Sequence, residues 1–258
     1  MKHLFEPEGR AALAALMRER PLLAFDFDGT LAPIVARPAA ARIPAAVAQR
    51  LRRLAERLPV AVVSGRAVAD LRQRLGFEPR FVVGSHGAED GFDPAASRAR
   101  MRRLDPLRER LKQHGAAIAA AGVSVEDKGQ SLALHYRLAP DRARARALIA
   151  ELLAGAGPDL EVFGGKMVEN AVAAGSPDKA QAVRQLVARL GTGHAFFAGD
   201  DVNDEPVFAA APAHWLTVRI GRGDQASKAR YFLDSPAEMA VALQVMLDAL
   251  GARNAHDG

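Results

Sequence analysis

Runs of apolar residues that stop abruptly at polar or glycine residues recur along this chain. Leu22–Phe25 runs into Asp26, Val60–Val63 into Ser64-Gly65-Arg66, and Phe81–Gly84 into Ser85-His86-Gly87. Ala195–Ala198 runs into Gly199-Asp200-Asp201, and Thr217–Ile220 into Gly221. Short apolar runs bounded by turn residues predict buried strands. Helical patterns lie between them, at 45–58, 67–75, 178–190, 203–210 and 236–250. An amphipathic helix is expected ahead of the first strand, and fraying over 252–258. Alternating strands and helices predict an α/β fold: a Rossmann-like, doubly wound parallel sheet with helices on both faces.

From Pro94 to Val172 the rhythm changes. A long Arg-rich helix pattern spans 99–121, followed by the runs VSVED and SLALHYR around Asp127-Lys128-Gly129-Gln130, which fits a hairpin turn. A second helix pattern (141–154) precedes DLEVF and KMVENAV, arranged around Gly164-Gly165. The order αββαββ predicts a small antiparallel sheet with helices on one face. Residues 94–172 therefore read as an inserted α+β unit, with 1–93 and 173–258 forming the core. A site is expected in the cleft between the two lobes.

The 258 residues carry 49% hydrophobic and 25% charged side chains, an ordinary globular balance with ample core. Without cysteine, disulfides and thiolate metal sites are excluded. A net charge of +5 suits nucleic acid or a small anionic substrate. With only 5% aromatic residues there are few stacking platforms for nucleic acid. The Arg98–Arg110 cluster reads as a solvated helix face. No segment has the apolar length of a membrane span, and the first 20 residues, broken by Glu6, Glu8 and Arg10, do not pattern as a signal peptide. A cytoplasmic monomer with no nucleic-acid or membrane partner is expected.

Ligands bind beyond the carboxyl ends of strands in open α/β sheets. Asp26 and Asp28 would sit there, one residue apart. Two carboxylates so close repel unless a cation lies between them or one keeps a proton, so the pair asks for Mg²⁺ and for acid–base chemistry in one place. Each candidate also has a plain structural reading. A lone Asp-x-Asp is commonly a surface turn, Ser64 a cap, Lys179 a solvated helix charge, and Asp200, Asp201 and Asp204 turn residues. Thr30 fits a helix cap or a phosphate donor. Arg66 fits a surface charge, a phosphate ligand or a partner of Asp201.

Taken in order, DFDGT, Ser64, Lys179 and GDDVND resemble the motifs of the haloacid dehalogenase superfamily of phosphotransferases, and the αββ-doubled insertion resembles its C2-type cap. The resemblance covers nearly the whole chain. It implies that Asp26 is a nucleophile forming an aspartyl-phosphate, and that Asp28 is the general acid and then the base. It also implies that Asp26, the backbone carbonyl of Asp28 and Asp200 hold Mg²⁺. Ser64 and Lys179 would meet the phosphate, and Gly29 would let backbone amides cradle it. Asp201 or Asp204 would hold a metal-bound water or Lys179.

GSHGAE (84–89), VEDKGQSLALHYR (125–137) and the segment from Thr217 to Leu243 resemble trehalose-6-phosphate phosphatases. That resemblance implies a sugar phosphate substrate, with Glu126 and Lys128 gripping sugar hydroxyls and His86 and Glu89 contributing from the hinge side. A bland surface Glu–Lys pair is the competing reading of the hairpin. In the last insertion strand, GGKMVENAV, the family's sugar-binding Glu falls on Asn170, counted from Gly165-Lys166, with Glu169 one place early. Neighbours in a strand face opposite sides, so either a bulge turns Glu169 inward or Asn170 serves. Asn203 stands where that family often has Thr. Phosphatases of sucrose, glucosylglycerol or mannosylglycerate phosphate are the near alternatives, and a sugar-phosphate sensor is the non-enzyme one.

Overall fold

The computed structural model describes residues 1–89, 94–155, 157–165, 167–222 and 226–254. In chain order the elements are β1 (Lys2–His3), α1 (Pro7–Arg18), β2 (Leu22–Phe25), α2 (Ala45–Ala55), β3 (Val60–Val63), α3 (Val68–Arg72), β4 (Phe81–Val83), α4 (Pro94–Arg103), α5 (Asp105–Gln113), α6 (Gly115–Ala120), β5 (Ser124–Asp127), β6 (Ser131–His135), α7 (Arg142–Ala154), β7 (Leu160–Gly165), β8 (Val168–Ala173), α8 (Lys179–Leu190), β9 (Ala195–Gly199), α9 (Glu205–Ala210), β10 (Leu216–Ile220), β11 (Tyr231–Leu233) and α10 (Met239–Asn254). The chain divides into two compact units, Met1–Gly87 with Asp178–Gly258, and Ala88–Pro177.

The first unit holds a seven-stranded sheet, order β1-β11-β10-β9-β2-β3-β4, with every pair parallel. Strand alternation divides its core into two layers. Leu23, Phe25, Val60, Val62, Phe196 and Ala198 point to one face and pack with Leu13 and Met17 of α1, Leu51 and Leu54 of α2, and Leu243 and Met246 of α10. Leu22, Ala24, Ala61, Val63, Ala195 and Phe197 point to the other and meet Val183 and Leu186 of α8 and Val207 and Phe208 of α9. Burial on both faces explains why these strands read as unbroken apolar runs. The chain steps from β2 to β3 and β4 on one side, while β9 flanks β2 on the other. The order reverses at β2, and the crevice of a doubly wound sheet opens at that reversal.

The second unit is a four-stranded antiparallel sheet, order β5-β6-β8-β7. Leu132, Leu134 and Ala171 pack on one face against Leu107 and Leu111 of α5, Ile118 of α6, and Ile149 and Leu152 of α7. In the hairpin, Gly129 takes φ +79° and Lys128 N–H donates to the Ser131 carbonyl. Asp141 caps α7 by accepting from Arg144 N–H.

The structure corrects several expectations. The helix expected over 99–121 is three helices. Pro106 lacks the N–H a continuous ladder needs, and Gly115 lowers helix propensity at the second break. Residues 252–254 continue α10 instead of fraying. Residues 255–258 and Lys166 lie outside the described residues. Strands β1 and β11 were missed, since two or three residues carry too little alternation to register.

Candidate active site

The pairing of β2 sets the site's geometry. Phe25 lies opposite Val62 of β3 and Ala198 of β9. Asp26, Ser64 and Asp200 therefore emerge together at the carboxyl ends of three adjacent strands. Asp26 N–H donates to the Ala198 carbonyl (2.9 Å), and Ser64 N–H to that of Val83 (3.0 Å). Asp26, Ser64, Lys179 and Asp204 are all buried.

Lys179 is the first residue of α8, a helix fixed by a capping box between Asp178 and Gln181. A cation at a helix N-terminus opposes the macrodipole, and burial penalises it further. Two carboxylates offset both costs. Lys179 Nζ donates to Asp26 Oδ1 and Asp204 Oδ1, each at 2.7 Å. Burial disfavours its charge, but Asp204 and Asp26 outweigh that and hold the ammonium protonated. Asp204 Oδ2 accepts from the N–H groups of Asp200 (2.9 Å) and Asp201 (3.0 Å). Asp204 is thus the residue that holds Lys179. Asp201 is exposed and accepts from Val202 N–H and Asn203 Nδ2, which makes it a turn residue.

Burial, ahead of every charge nearby, pushes the Asp26 carboxyl well up; Lys179 opposes this. Burial and then the Asp204 charge push Asp200 up to about 7. Gly29 has φ +80°, and a Cβ there would overlap the Asp200 carboxylate. Glycine is therefore required both by its backbone and by the approach of Asp200.

Among the described residues, the buried Thr30 Oγ1 and Asp200 Oδ1 at this end of the sheet have no hydrogen-bond partner. Unsatisfied buried oxygens are costly. Asp26, Asp200 and Asp204 can bring one carboxylate oxygen each within 4.8 Å of one another. An all-oxygen set suits a hard divalent cation. Since Asp204 is committed to Lys179 and two amides, Asp26 and Asp200 are the residues that fit that role. Thr30 caps no helix, because the residues after it form a loop; the cap reading is corrected.

A second group, His3, Asp234 and Glu238, has metal-like spacing but is satisfied internally. Phe5 N–H donates to His3 Nδ1, so Nε2 carries the proton and faces Glu238. Arg222 occupies Asp234.

Arg66 does not meet Asp201. Its Nε and Nη2 donate to Asp28 Oδ2 and Oδ1 at 2.6 and 2.7 Å, and its Nη1 to Asp70 Oδ2 at 2.8 Å. His86 (φ +58°) packs its ring where a Cβ of Gly65 would sit, and its N–H donates to the Ser64 carbonyl.

Glu89, Glu126, Lys128, Glu169 and Asn170 belong to the second unit. The register runs without a bulge from Ser131↔Val172 to His135↔Val168. Glu126, Ala133, Asn170 and Phe163 form one row across the sheet, on the face opposite Leu132 and Leu134. Glu169 pairs with Leu134 and points to the helix face, where Arg146 Nε lies 3.8 Å from it. Asn170, not Glu169, shares a face with Glu126. Lys128 Nζ lies 3.7 Å from Glu126. His135 Nε2 lies 2.9 Å from Glu126 Oε2, and this bond leads the causes that hold Glu126 below the usual carboxylate range.

Sequence reasoning missed Asp70, Arg74 and His135. The i, i+4 spacing Arg66–Asp70–Arg74 on a helical pattern was the available signal, as was the cross-strand diagonal of Glu126 and His135.

The family model described as trehalose-phosphatase matches residues 24–237. A trehalose-phosphate phosphatase of Mycobacterium ulcerans is 33% identical over 257 residues, covering 93% of this chain and 65% of its own length. One from Mycolicibacterium paratuberculosis is 35% identical over 254 residues, covering 91% of this chain and 64% of its own length. The chain thus spans about 65% of the first of these relatives. An Aspergillus fumigatus trehalose-6-phosphate phosphatase structure superposes with TM-score 0.68 at 25% identity, covering 96% of this chain and 100% of that one. A haloacid dehalogenase-like hydrolase from Bacteroides thetaiotaomicron shares the fold alone, with TM-score 0.63 at 16% identity over 88% of this chain and 99% of that one.

Proposed function

The chain belongs to the trehalose-phosphatase family, and from that premise we propose that it hydrolyses trehalose 6-phosphate to trehalose and inorganic phosphate through an aspartyl-phosphate, using Mg²⁺. The observation that carries this reading is the buried Asp26–Lys179–Asp204 chain beside Asp200, at the point where the sheet order reverses. Strongly perturbed carboxylates in a crevice cluster at functional sites, and here an orphaned carboxylate oxygen of Asp200 lies beside them.

The steps follow from the residues. An Asp26 oxygen attacks phosphorus while the bond to the sugar oxygen breaks, and Asp28 gives that oxygen its proton. Water then attacks the aspartyl-phosphate, loses a proton to Asp28, and frees phosphate and Asp26. Lys179 holds Asp26 in place and balances the phosphoryl charge, which is where preorganised charge lowers a barrier most. Ser64 Oγ and the orphaned Thr30 Oγ1 are the hydroxyl donors for phosphate oxygens. When bound, the cation would neutralise phosphoryl charge and orient its oxygens; Asp26, Asp200 and the Asp28 carbonyl would hold it.

The second unit, read as the cap, supplies sugar recognition. Glu126, with Lys128 and His135 beside it, and Asn170 offer acceptors and donors to hydroxyls from one face. Asn170 keeps a carbonyl acceptor while losing the carboxylate charge. Glu126→Ala is expected to raise KM for the sugar phosphate while leaving a small aryl phosphate unaffected. Equal effects on both substrates would count against sugar recognition by this residue.

Proton linkage gives a further expectation. Asp200 has its folded pKa raised to about 7, above the ordinary carboxylate value. Folding therefore favours the protonated form, and stability is lost as pH rises through that window. Metal-free protein should melt at lower temperature at pH 8 than at pH 5. Mg²⁺ needs the ionised carboxylate, so the melting shift it produces should grow over the same range. A shift independent of pH would remove Asp200 from the ligand set.

The reading further places the protein in the cytoplasm as a monomer acting on a small sugar phosphate, with neither nucleic acid nor membrane as partner. Among the described residues no helix is long and apolar enough to cross a membrane. Phosphate release from trehalose 6-phosphate, sucrose 6-phosphate, glucosylglycerol phosphate and mannosylglycerate phosphate tests the substrate. A higher kcat/KM for any of the last three would overturn the trehalose assignment. Tight binding without release would favour a sensor.

A further inference from the structure

We propose that Asp70 is a positioning residue of this reaction, fixing the orientation of Asp28 through Arg66. The inference rests on the reading of Asp28 as the group that moves the proton.

Asp28 follows β2 in a turn and is partly exposed. Both of its carboxylate oxygens are gripped by one guanidinium, Arg66, at 2.6 and 2.7 Å. A two-pronged pair fixes the plane of a carboxylate only as well as the guanidinium is itself fixed. Arg66 is held on several sides. Its side chain is only 13% exposed, its Cζ lies 5.3 Å from the centroid of the Phe27 ring, and its Nη2 also donates to the Pro38 carbonyl (2.9 Å). Its remaining arm, Nη1, ends on Asp70 Oδ2 (2.8 Å), which supplies the second charge in its surroundings.

Asp70 is anchored in turn. Arg74, one helical turn on and buried, donates from Nε to Asp70 Oδ2 (2.9 Å) and from Nη2 to Oδ1. Its Nη1 reaches the Ala39 carbonyl. The result is an alternating chain, Asp28–Arg66–Asp70–Arg74, whose two arginines also hold the loop at Pro38 and Ala39. The hydrogen bond from Arg74, and then that from Arg66, hold the Asp70 carboxyl down at about 2 against burial. Without the Asp70 charge, the Arg66 and Arg74 guanidinium groups face each other with no carboxylate between them, and Arg66 loses the charged partner of the arm that sets its rotation. The part of the reaction that depends on this is proton delivery, because the acid must stay within hydrogen-bond reach of the departing oxygen. A displacement of about 1 Å there costs about 10²-fold in rate.

The test compares leaving groups. A sugar alkoxide needs the proton to depart, whereas nitrophenolate leaves without it. Asp70→Asn should lower kcat on the sugar phosphate by about 10²-fold with KM unchanged. On nitrophenyl phosphate it should release a first equivalent of nitrophenol at the parental rate and then turn over slowly, because activation of water also uses Asp28. Asp70→Glu, which keeps the carboxylate, should recover part of the lost rate. Arg66→Lys should show the same selectivity, since one ammonium cannot grip two carboxylates as a guanidinium does, and it carries the test if D70N does not fold. The Arg66→Lys and Asp70→Asn losses should also be non-additive. Equal losses in the nitrophenol burst and the sugar phosphate rate, or no loss, would overturn the proposal. Asp28→Asn separates the two readings. If it turns over sugar phosphate normally, the role of Asp28 fails. If it is inactive while D70N is normal, only the role of Asp70 fails.

Discussion

Asp26→Asn is expected to bring phosphate release below detection while leaving the fold at least as stable as the parent. Those two outcomes have different origins. An amide cannot attack phosphorus to form the acyl phosphate, and the uncatalysed hydrolysis of a phosphate monoester is among the slowest reactions known, so nothing replaces the lost step. Stability behaves otherwise. Burial pushes the Asp26 carboxyl up despite Lys179 at 2.7 Å, so the fold holds that charge at a cost. Asparagine removes the cost and nearly preserves the shape, and Lys179 keeps Asp204 as its partner. Phosphate release and thermal melts on the same preparation check both halves. Normal turnover in a folded variant would exclude a covalent route through Asp26.

Lys179→Met is the mirror case. It should slow turnover by about 10²–10³-fold, the scale of removing one preorganised charge donor, and it should also destabilise the protein by about 3–5 kcal/mol. That is the range for breaking a buried pair by deleting one partner. Methionine keeps the aliphatic stem of the side chain but leaves Asp26 and Asp204, both buried, without their shared cation. One of them must then take up a proton. Denaturant unfolding alongside kinetics measures both effects. Unchanged stability would mean that water reaches these carboxylates and that the pair is worth little.

How far the sequence reached can be argued from the same residues. The strands before Asp26, Ser64 and Asp200 were legible because both of their faces are buried, which writes them as apolar runs. The Asp26–Lys179 contact was not legible from pattern alone. The two residues lie on opposite sides of an inserted unit, and only the resemblance placed them together. The sequence leaves Arg66 open between a surface charge, a phosphate ligand and a partner of Asp201, because its reach across the sheet end depends on the loop at Pro38, which no periodicity describes. Asp28 is its partner instead. The choice between Glu169 and Asn170 turned on strand parity, which needs a register that the sequence did not fix. The unbroken pairing of β6 with β8 sets Asn170 on the face of Glu126 and Glu169 on the helix face. The three-way break of the helix expected over 99–121 was signalled by Pro106 and Gly115, but its Arg-rich face masked both.

The order of the large sheet bears on how this protein is made. β2, which carries Asp26, has β3 as an early neighbour, but its other flank belongs to β9, which follows the entire insertion. β1 waits longer still, for β11. A nascent chain on the ribosome therefore carries a bare flank on β2, an interior strand of the finished sheet, until β9 has been synthesised. Pairings so distant in sequence close slowly. Chaperone contact is expected to concentrate on this half-built sheet edge, and truncations anywhere before β9 should yield aggregates, not a weakened enzyme.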